Sequence, residues 1–278
     1  MHIIKAEKLV KRYKDGHLAL DSLNIAINKK TTVIIGRNGA GKTTLMRILS
    51  TQLLPTSGKV SILGHDAVRN SENIRRKIAS IPQEAEVLGF LTPQEHIEIY
   101  LAARGFPKEE ISRKSEEALR LLGLLEFKDK SSDRLSGGMK RKIFVAMALA
   151  SDAELVFLDE PTVGLDPISR MEVWSAVKKL KGRTVLTTHY MEEAKALGDE
   201  IILIDRGRAI MQGSAESLLR KSRGIMRIEG AGVGDRQYEM GGTKISYVDE
   251  KLALRYARKG YEVKQVDIED LFIMGGIE

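Results

Sequence analysis

The chain has 278 residues, 42% hydrophobic and 30% charged, with a formal net charge of +7 and no cysteine. That length suits one large domain with a small appendage. The missing cysteines exclude a disulfide framework and a cysteine-based metal site and fit a reducing compartment. Aromatics make up only 5%, and the basic clusters Arg75–Arg76–Lys77, Lys140–Arg141–Lys142, Lys178–Lys179 and Arg220–Lys221 are scattered. They read as solvated surface rather than as a nucleic-acid groove, which would interleave charge with stacking rings. No apolar run approaches the ~20 residues of a membrane-spanning helix, and residues 1–13 lack the apolar centre of a signal peptide. A role at a membrane would therefore need spans supplied by other chains.

In chain order, IIKAEKLV at 3–10 has the composition of a strand, Asp15–Gly16 is a hairpin-type turn signal, and LNIAIN at 23–28 alternates as a half-buried strand does. Tyr13 ends the first strand, where its ring could stack on a nucleobase. TTVIIG at 31–36 is a continuous apolar run, the mark of a strand buried on both faces. It runs directly into GRNGAGKTT at 36–44, which meets the pattern G-x-x-x-x-G-K-[ST] and precedes the helical TTLMRILS. Gly36, Arg37, Asn38, Gly39, Ala40, Gly41, Lys42, Thr43 and Thr44 should form a phosphate cradle. Its backbone N–H groups and the positive end of the helix face the anion. Lys42 should reach the terminal phosphates, and the Thr43 hydroxyl should ligate Mg²⁺. Gln83, after a short strand, carries an amide that could ligate Mg²⁺ or orient water.

Residues 92–151 change character. Thr92 reads as an N-cap, Pro93 as the first helical residue and Glu95 as the return partner of a capping box. A second helix is expected over 108–123. LSGG at 135–138 opens a third helix, so Ser136, Gly137 and Gly138 offer a hydroxyl, free N–H groups and a helix dipole as a second anion site. Strand–helix alternation then resumes with LVFLDEP at 155–161, a helix of about 14 residues from Asp166–Pro167, RTVLTT at 183–188, a helix at 190–197 and EIILID at 200–205. Such alternation implies a parallel sheet with right-handed crossovers. Asp159 ends its strand as the acidic partner a phosphate loop needs on a neighbouring strand, holding Mg²⁺ through water. Glu160, turned elsewhere by strand alternation, should polarise the attacking water. His189 should hydrogen-bond the γ-phosphate. From about 221 the chain is Gly-rich, then suggests strand, strand, helix, strand, helix.

GRNGAGKTT, Gln83, LSGG, LVFLDE, GLD at 164–166 and His189, in that order, resemble the ATP-binding cassette (ABC) ATPases over about residues 1–220. The resemblance implies a RecA-like P-loop parallel sheet core with an N-terminal antiparallel β subdomain and an inserted helical subdomain at about 84–151. Residues 221–278 would form a small α+β accessory domain. It also implies hydrolysis of ATP with Mg²⁺, head-to-tail pairing of two copies around two ATP, and an integral membrane permease as partner. The chain would then lie in the cytoplasm, peripheral to the inner face of the membrane, with no nucleic acid. Tyr13 falls at the adenine-stacking position. LTPQEHIEIYLAARGFPKEE, EPTVGLDP, LTTHYMEEA and the closing VDIEDLFI resemble the single-cassette exporters of drugs, polysaccharides and lipids. Met139 stands where many cassettes have Gln, as it often does in that group. Phe90 and Leu91 are candidate contacts for a permease helix. A soluble cassette of translation or DNA repair is the rival reading, but the first type carries two cassettes per chain and the second a long coiled-coil insert. A P-loop kinase or GTPase fits less well, given LSGG and the lack of N-K-x-D.

Overall fold

The computed structural model describes residues 2–220 and 222–275, so Lys221 of the basic pair at 220–221 lies outside the described residues. The chain divides into two compact units, one running to Ala209 and the other from Ile210. The first opens with the hairpin β1 (Ile4–Arg12) and β2 (Leu18–Ile27), whose turn closes through Tyr13 N–H to His17 O at 2.9 Å. There follow β3 (Thr31–Ile35), α1 (Lys42–Leu49), β4 (Ser57–Ile62), β5 (His65–Asp66), α2 (Ser71–Lys77) and β6 (Ile78–Ile81). The helices α3 (Pro93–Ala103), α4 (Lys108–Leu121) and α5 (Gly137–Ala150) come next as one block. The remainder is β7 (Leu155–Asp159), α6 (Pro167–Lys178), β8 (Arg183–Thr188), α7 (Met191–Leu197), β9 (Glu200–Asp205) and β10 (Arg208–Gly213), which carries the chain across the boundary.

Two sheets share the core of this unit. One is antiparallel, in the order β2-β1-β4-β5; the other runs β10-β9-β3-β8-β7-β6. In the second, β3 pairs in parallel with β8 and β9, and β7 with β6 and β8. All five residues of β3 and of β7 are buried, as their unbroken apolar runs require. Leu45, Ile48, Phe157, Ile202 and Ile204 belong to one buried cluster with Ile4, Leu20 and Ile62 of the antiparallel sheet. The strand order corrects one expectation. The strand that ends before His189, β8, is the direct neighbour of β3, and the strand that ends in Asp159 lies one place further out. The C-terminal ends of β3, β8 and β7 therefore stand side by side, the edge at which open α/β sheets gather their ligands.

The second unit holds α8 (Ala215–Arg220), β11 (Ile225–Glu229), β12 (Arg236–Met240), β13 (Thr243–Asp249), α9 (Glu250–Ala257), β14 (Glu262–Gln265) and α10 (Ile268–Ile273). Its strands form one antiparallel sheet in the order β12-β13-β11-β14. Three strands, not two, precede α9: RQYEM lacks a clear apolar alternation, and its pairing with β13 makes it a strand. A buried polar knot ties the unit together. Asp270 accepts from Arg227 at 3.0 Å and from the Tyr247 hydroxyl at 2.7 Å.

Candidate functional site

Between β3 and α1 the chain must reverse around a space it does not fill, and two glycines make that possible. A Cβ on Gly36 would stand 2.4 Å from the Ile204 carbonyl oxygen. Gly41, at φ +101°, would put one 2.5 Å from that of Ala19. Any side chain at either position forces backbone apart. The result is a cleft of about 320 Å³ lined by residues of the loop from Arg37 to Thr44 and by His17, Ala19, Gln83 and Glu160. Lys42 is 5% exposed, and its Nζ donates to the Gly36 carbonyl at 2.8 Å and the Arg37 carbonyl at 3.3 Å. Its charge also lies 3.3 Å from Glu160 Oε1. The Lys42 side chain thus spans the cradle that surrounds it.

Asp159 and Glu160 diverge, though not by strand alternation. β7 ends at Asp159, and Glu160 takes φ 49°, a left-handed conformation that costs a non-glycine residue on the order of 1–3 kcal/mol. Two bonds hold it there: the Glu160 amide donates to the Thr187 hydroxyl at 3.0 Å and carbonyl at 3.2 Å. The turn sends Glu160 between Lys42 and His189, whose Nδ1 lies 2.9 Å from Oε2. Asp159 remains behind, bonded to the Thr187 hydroxyl. Burial raises its carboxyl above the ordinary range, opposed by hydrogen bonds from Thr187 and Thr43.

Arg141 is a site residue that the sequence did not disclose. Read there as part of a solvated basic cluster, it instead drives its guanidinium into the protein. It donates to the carbonyls of Pro82 (3.4 Å), Gln83 (2.8 Å), Asp159 (2.9 Å) and Glu160 (3.1 Å). Desolvation pulls it below its ordinary pKa, opposed by the charges of Asp159 and Glu160. Its neighbour Lys142 is also buried, donating to the Leu122 carbonyl and paired with Glu172. Two of the three charges in that cluster are structural, because α5 turns this face inward.

The remaining expected residues stand apart from the cleft in one chain. Tyr13 does not line it. Its hydroxyl shares a 3.1 Å hydrogen bond with Thr44, and the His17 ring stacks near it with centroids 6.3 Å apart. His17 is the ring that borders the cleft, a second residue missed, and its only sequence signal was the turn that brings it beside Tyr13. Ser136 caps α5, accepting from Met139 N–H at 3.2 Å, and neither it nor Gly137 or Gly138 lines the cleft. Ser136 and Gly137 are exposed.

Mg²⁺ fits the donors present. Asp159, Thr43 and Gln83 supply one carboxylate, one hydroxyl and one amide, all hard oxygens. Among the described residues no group of three or more His, Cys, Asp or Glu gathers into a dedicated metal cage. Mg²⁺ favours such a sparse set, since it keeps waters and phosphate oxygens for most of its positions.

The sequences and structures this chain resembles are those of ATP-binding proteins. A profile of the ABC transporter family matches residues 20–163. The daunorubicin resistance ATP-binding protein DrrA3 of Streptomyces coeruleorubidus is 38% identical over 218 residues, 77% of this chain and 69% of that one. The retinal-specific phospholipid-transporting ATPase ABCA4 of Mus musculus is 41% identical over 212 residues, 75% of this chain but 9% of that protein. Among solved structures, a dimeric post-hydrolysis state of the ATP-binding cassette MJ0796 bound to ADP and Pi superposes with a TM-score of 0.69 at 28% identity. The match covers 76% of this chain and 98% of that one. The chain belongs to the ABC transporter family. It is an ATP-binding ATPase subunit, with relatives that favour transport over translation or repair. No described helix is long and apolar enough to cross a membrane.

Proposed function

We propose that two copies of this chain sandwich two ATP–Mg²⁺ and drive a separate membrane permease, in the export direction, from the cytoplasmic face. The observation that carries this is the separation of its two anion sites. The cradle at 36–44 is lined and closed on one side by Glu160, while Ser136–Gly137 is exposed and outside that cleft. A second copy in head-to-tail contact would present its Ser136, Gly137 and Gly138 to the open side. The dimeric state of MJ0796 supports the pairing, and the drug-resistance relative supports export.

In this reading Arg37, Asn38, Gly39, Ala40 and Gly41 offer backbone N–H groups to the β- and γ-phosphates, and Lys42 exchanges its loop carbonyls for phosphate oxygens. Thr43, Asp159 and Gln83 would hold Mg²⁺, which neutralises phosphate charge. Glu160 orients and polarises the attacking water. His189, held by its 2.9 Å contact with Glu160, donates to the γ-phosphate. Catalysis is placement and charge stabilisation. Tyr13 and His17 would flank the base. Phe90, 76% exposed beside the Gln83 loop, is an apolar contact for the permease. The domain organisation proposed with it is a cassette at 1–220 with a helical insert at about 84–151 and an accessory domain at 221–278, a boundary 11 residues beyond the division between the compact units at Ala209 and Ile210.

Glu160→Gln keeps the shape of the site but abolishes the base. It should bind ATP normally, lose turnover, and run as a dimer in light scattering with ATP and Mg²⁺. Wild-type turnover would remove the role given to Glu160, and a lone protomer at saturating ATP would remove the shared pocket.

A further inference from the structure

Behind the Glu160–His189 pair lies a polar joint that the hydrolysis chemistry does not itself use. Glu193 on α7 is 0% exposed, a rare state for a carboxylate. Its Oε1 accepts from the Thr162 hydroxyl and the Trp174 indole N–H, each at 2.9 Å, while its Oε2 has no hydrogen-bond partner among the described residues. Burial raises its pKa above the ordinary value. Thr162, also fully buried, sits two residues past Glu160 on the segment leading to Asp166. Asp166 caps α6, accepting from the Ile168 and Ser169 amides at 3.0 Å. Trp174 lies further along that helix.

A second rung lies one turn earlier. The Arg170 guanidinium sits 4.3 Å over the Tyr190 ring, and that ring is 4.1 Å from the His189 imidazole. Arg170 and Trp174 are i and i+4, so they share one face of α6. Tyr190 and Glu193 are three residues apart at the start of α7. Two rungs therefore join the helix headed by loop 161–166 to the segment that carries His189. Sliding one past the other would strand a buried carboxylate with no donor and leave an indole N–H and a buried hydroxyl without an acceptor.

We propose that Glu193, held by Trp174 and Thr162 and flanked by the Arg170–Tyr190 stack, is a positioning residue that makes His189 follow the loop at the head of α6. The inference rests on the hydrolytic roles of Glu160 and His189, but not on the pocket shared between two copies.

Two replacements separate the joint from simple packing. Glu193→Gln retains an acceptor oxygen for Thr162 and Trp174; Glu193→Leu fills the space without one. The Gln variant should keep kcat within ~3-fold of wild type, and the Leu variant should lose at least ~10-fold in kcat with the ATP KM within ~2-fold. Trp174 is the single tryptophan of the chain, so its emission reports on the joint directly. ATP should shift that emission in the wild type and fail to shift it in Glu193→Leu, although equilibrium dialysis still detects bound ATP. Equal losses in the Gln and Leu variants, a loss confined to KM, wild-type kcat in the Leu variant, or emission indifferent to ATP in the wild type would each overturn the proposal. Should Glu193→Leu not fold, Trp174→Phe removes the indole donor together with part of the ring and should still lower kcat at unchanged KM; an unaffected kcat there overturns it equally. Were these results negative while Glu160→Gln remained inactive, the joint alone would fall. Wild-type turnover in Glu160→Gln would instead remove the reading beneath it.

Discussion

At Arg141 a rigid fork of N–H donors meets four carbonyls from two segments of chain, one leading from Gln83 and the other ending in Glu160. Lysine cannot replace it, because an ammonium is a point charge that cannot span both segments. Arg141→Ala removes four hydrogen bonds from a charged donor in a partly buried site, leaving the Pro82 and Glu160 carbonyls only their long turn bonds from Ala85 and Val163, and should cost about 2–3 kcal/mol, read as a lower urea midpoint at unchanged slope. Arg141→Lys should recover only part of that loss. The residue was invisible in the sequence because its partners are backbone oxygens, which every residue type possesses. Lys42, Thr43, Asp159 and Glu160 could be named as candidates for the opposite reason: binding a triphosphate demands those side chains at that spacing. Glu160 was a sequence candidate whose geometry was not anticipated, since nothing in LVFLDE announces a residue at φ 49°.

Among elements, α3 was the most legible. Thr92 Oγ1 accepts from the Glu95 amide at 3.1 Å, and Glu95 Oε2 accepts from the Thr92 amide at 2.8 Å, so the expected capping box is present in both directions. Thr92→Ala should cost about 1 kcal/mol, measured as a shift in thermal or urea midpoint with ATP turnover otherwise preserved. Caps and buried strands can be read locally because the same few residues both specify and satisfy them. Strand order cannot. β8 lies between β3 and β7 although it follows β7 in the chain, and only the pairing of Thr32 with Val185 and of Phe157 with Val185 decides it. β12 was missed for a related reason: RQYEM becomes a strand by pairing with 243–247.

For the whole molecule, the proposed function turns on whether ATP can hold two copies together. Moving a clamp from mostly open to mostly closed takes about 5.5 kcal/mol of differential binding, or about 2.7 for each of two nucleotides. A few charge-assisted hydrogen bonds from Ser136, Gly137 and Gly138, at about 1.5–3 kcal/mol each, are enough. Ser136→Arg, placed in the Glu160→Gln background, should therefore bind ATP with near-normal affinity yet sediment as a monomer; an ATP-dependent dimer would count against the shared pocket. Taken alone, the amino-acid sequence determined the chemistry, because a phosphate cradle, its acidic partners and a second glycine-rich helix start are local strings whose residue types the ligand dictates. Tertiary structure decided which strand ends stand together, that Arg141 faces inward, that His17 rather than Tyr13 borders the cleft, and that Glu193 joins α6 to the His189 segment. Those outcomes depend on contacts between residues far apart in the chain, and packing, not local propensity, selects them.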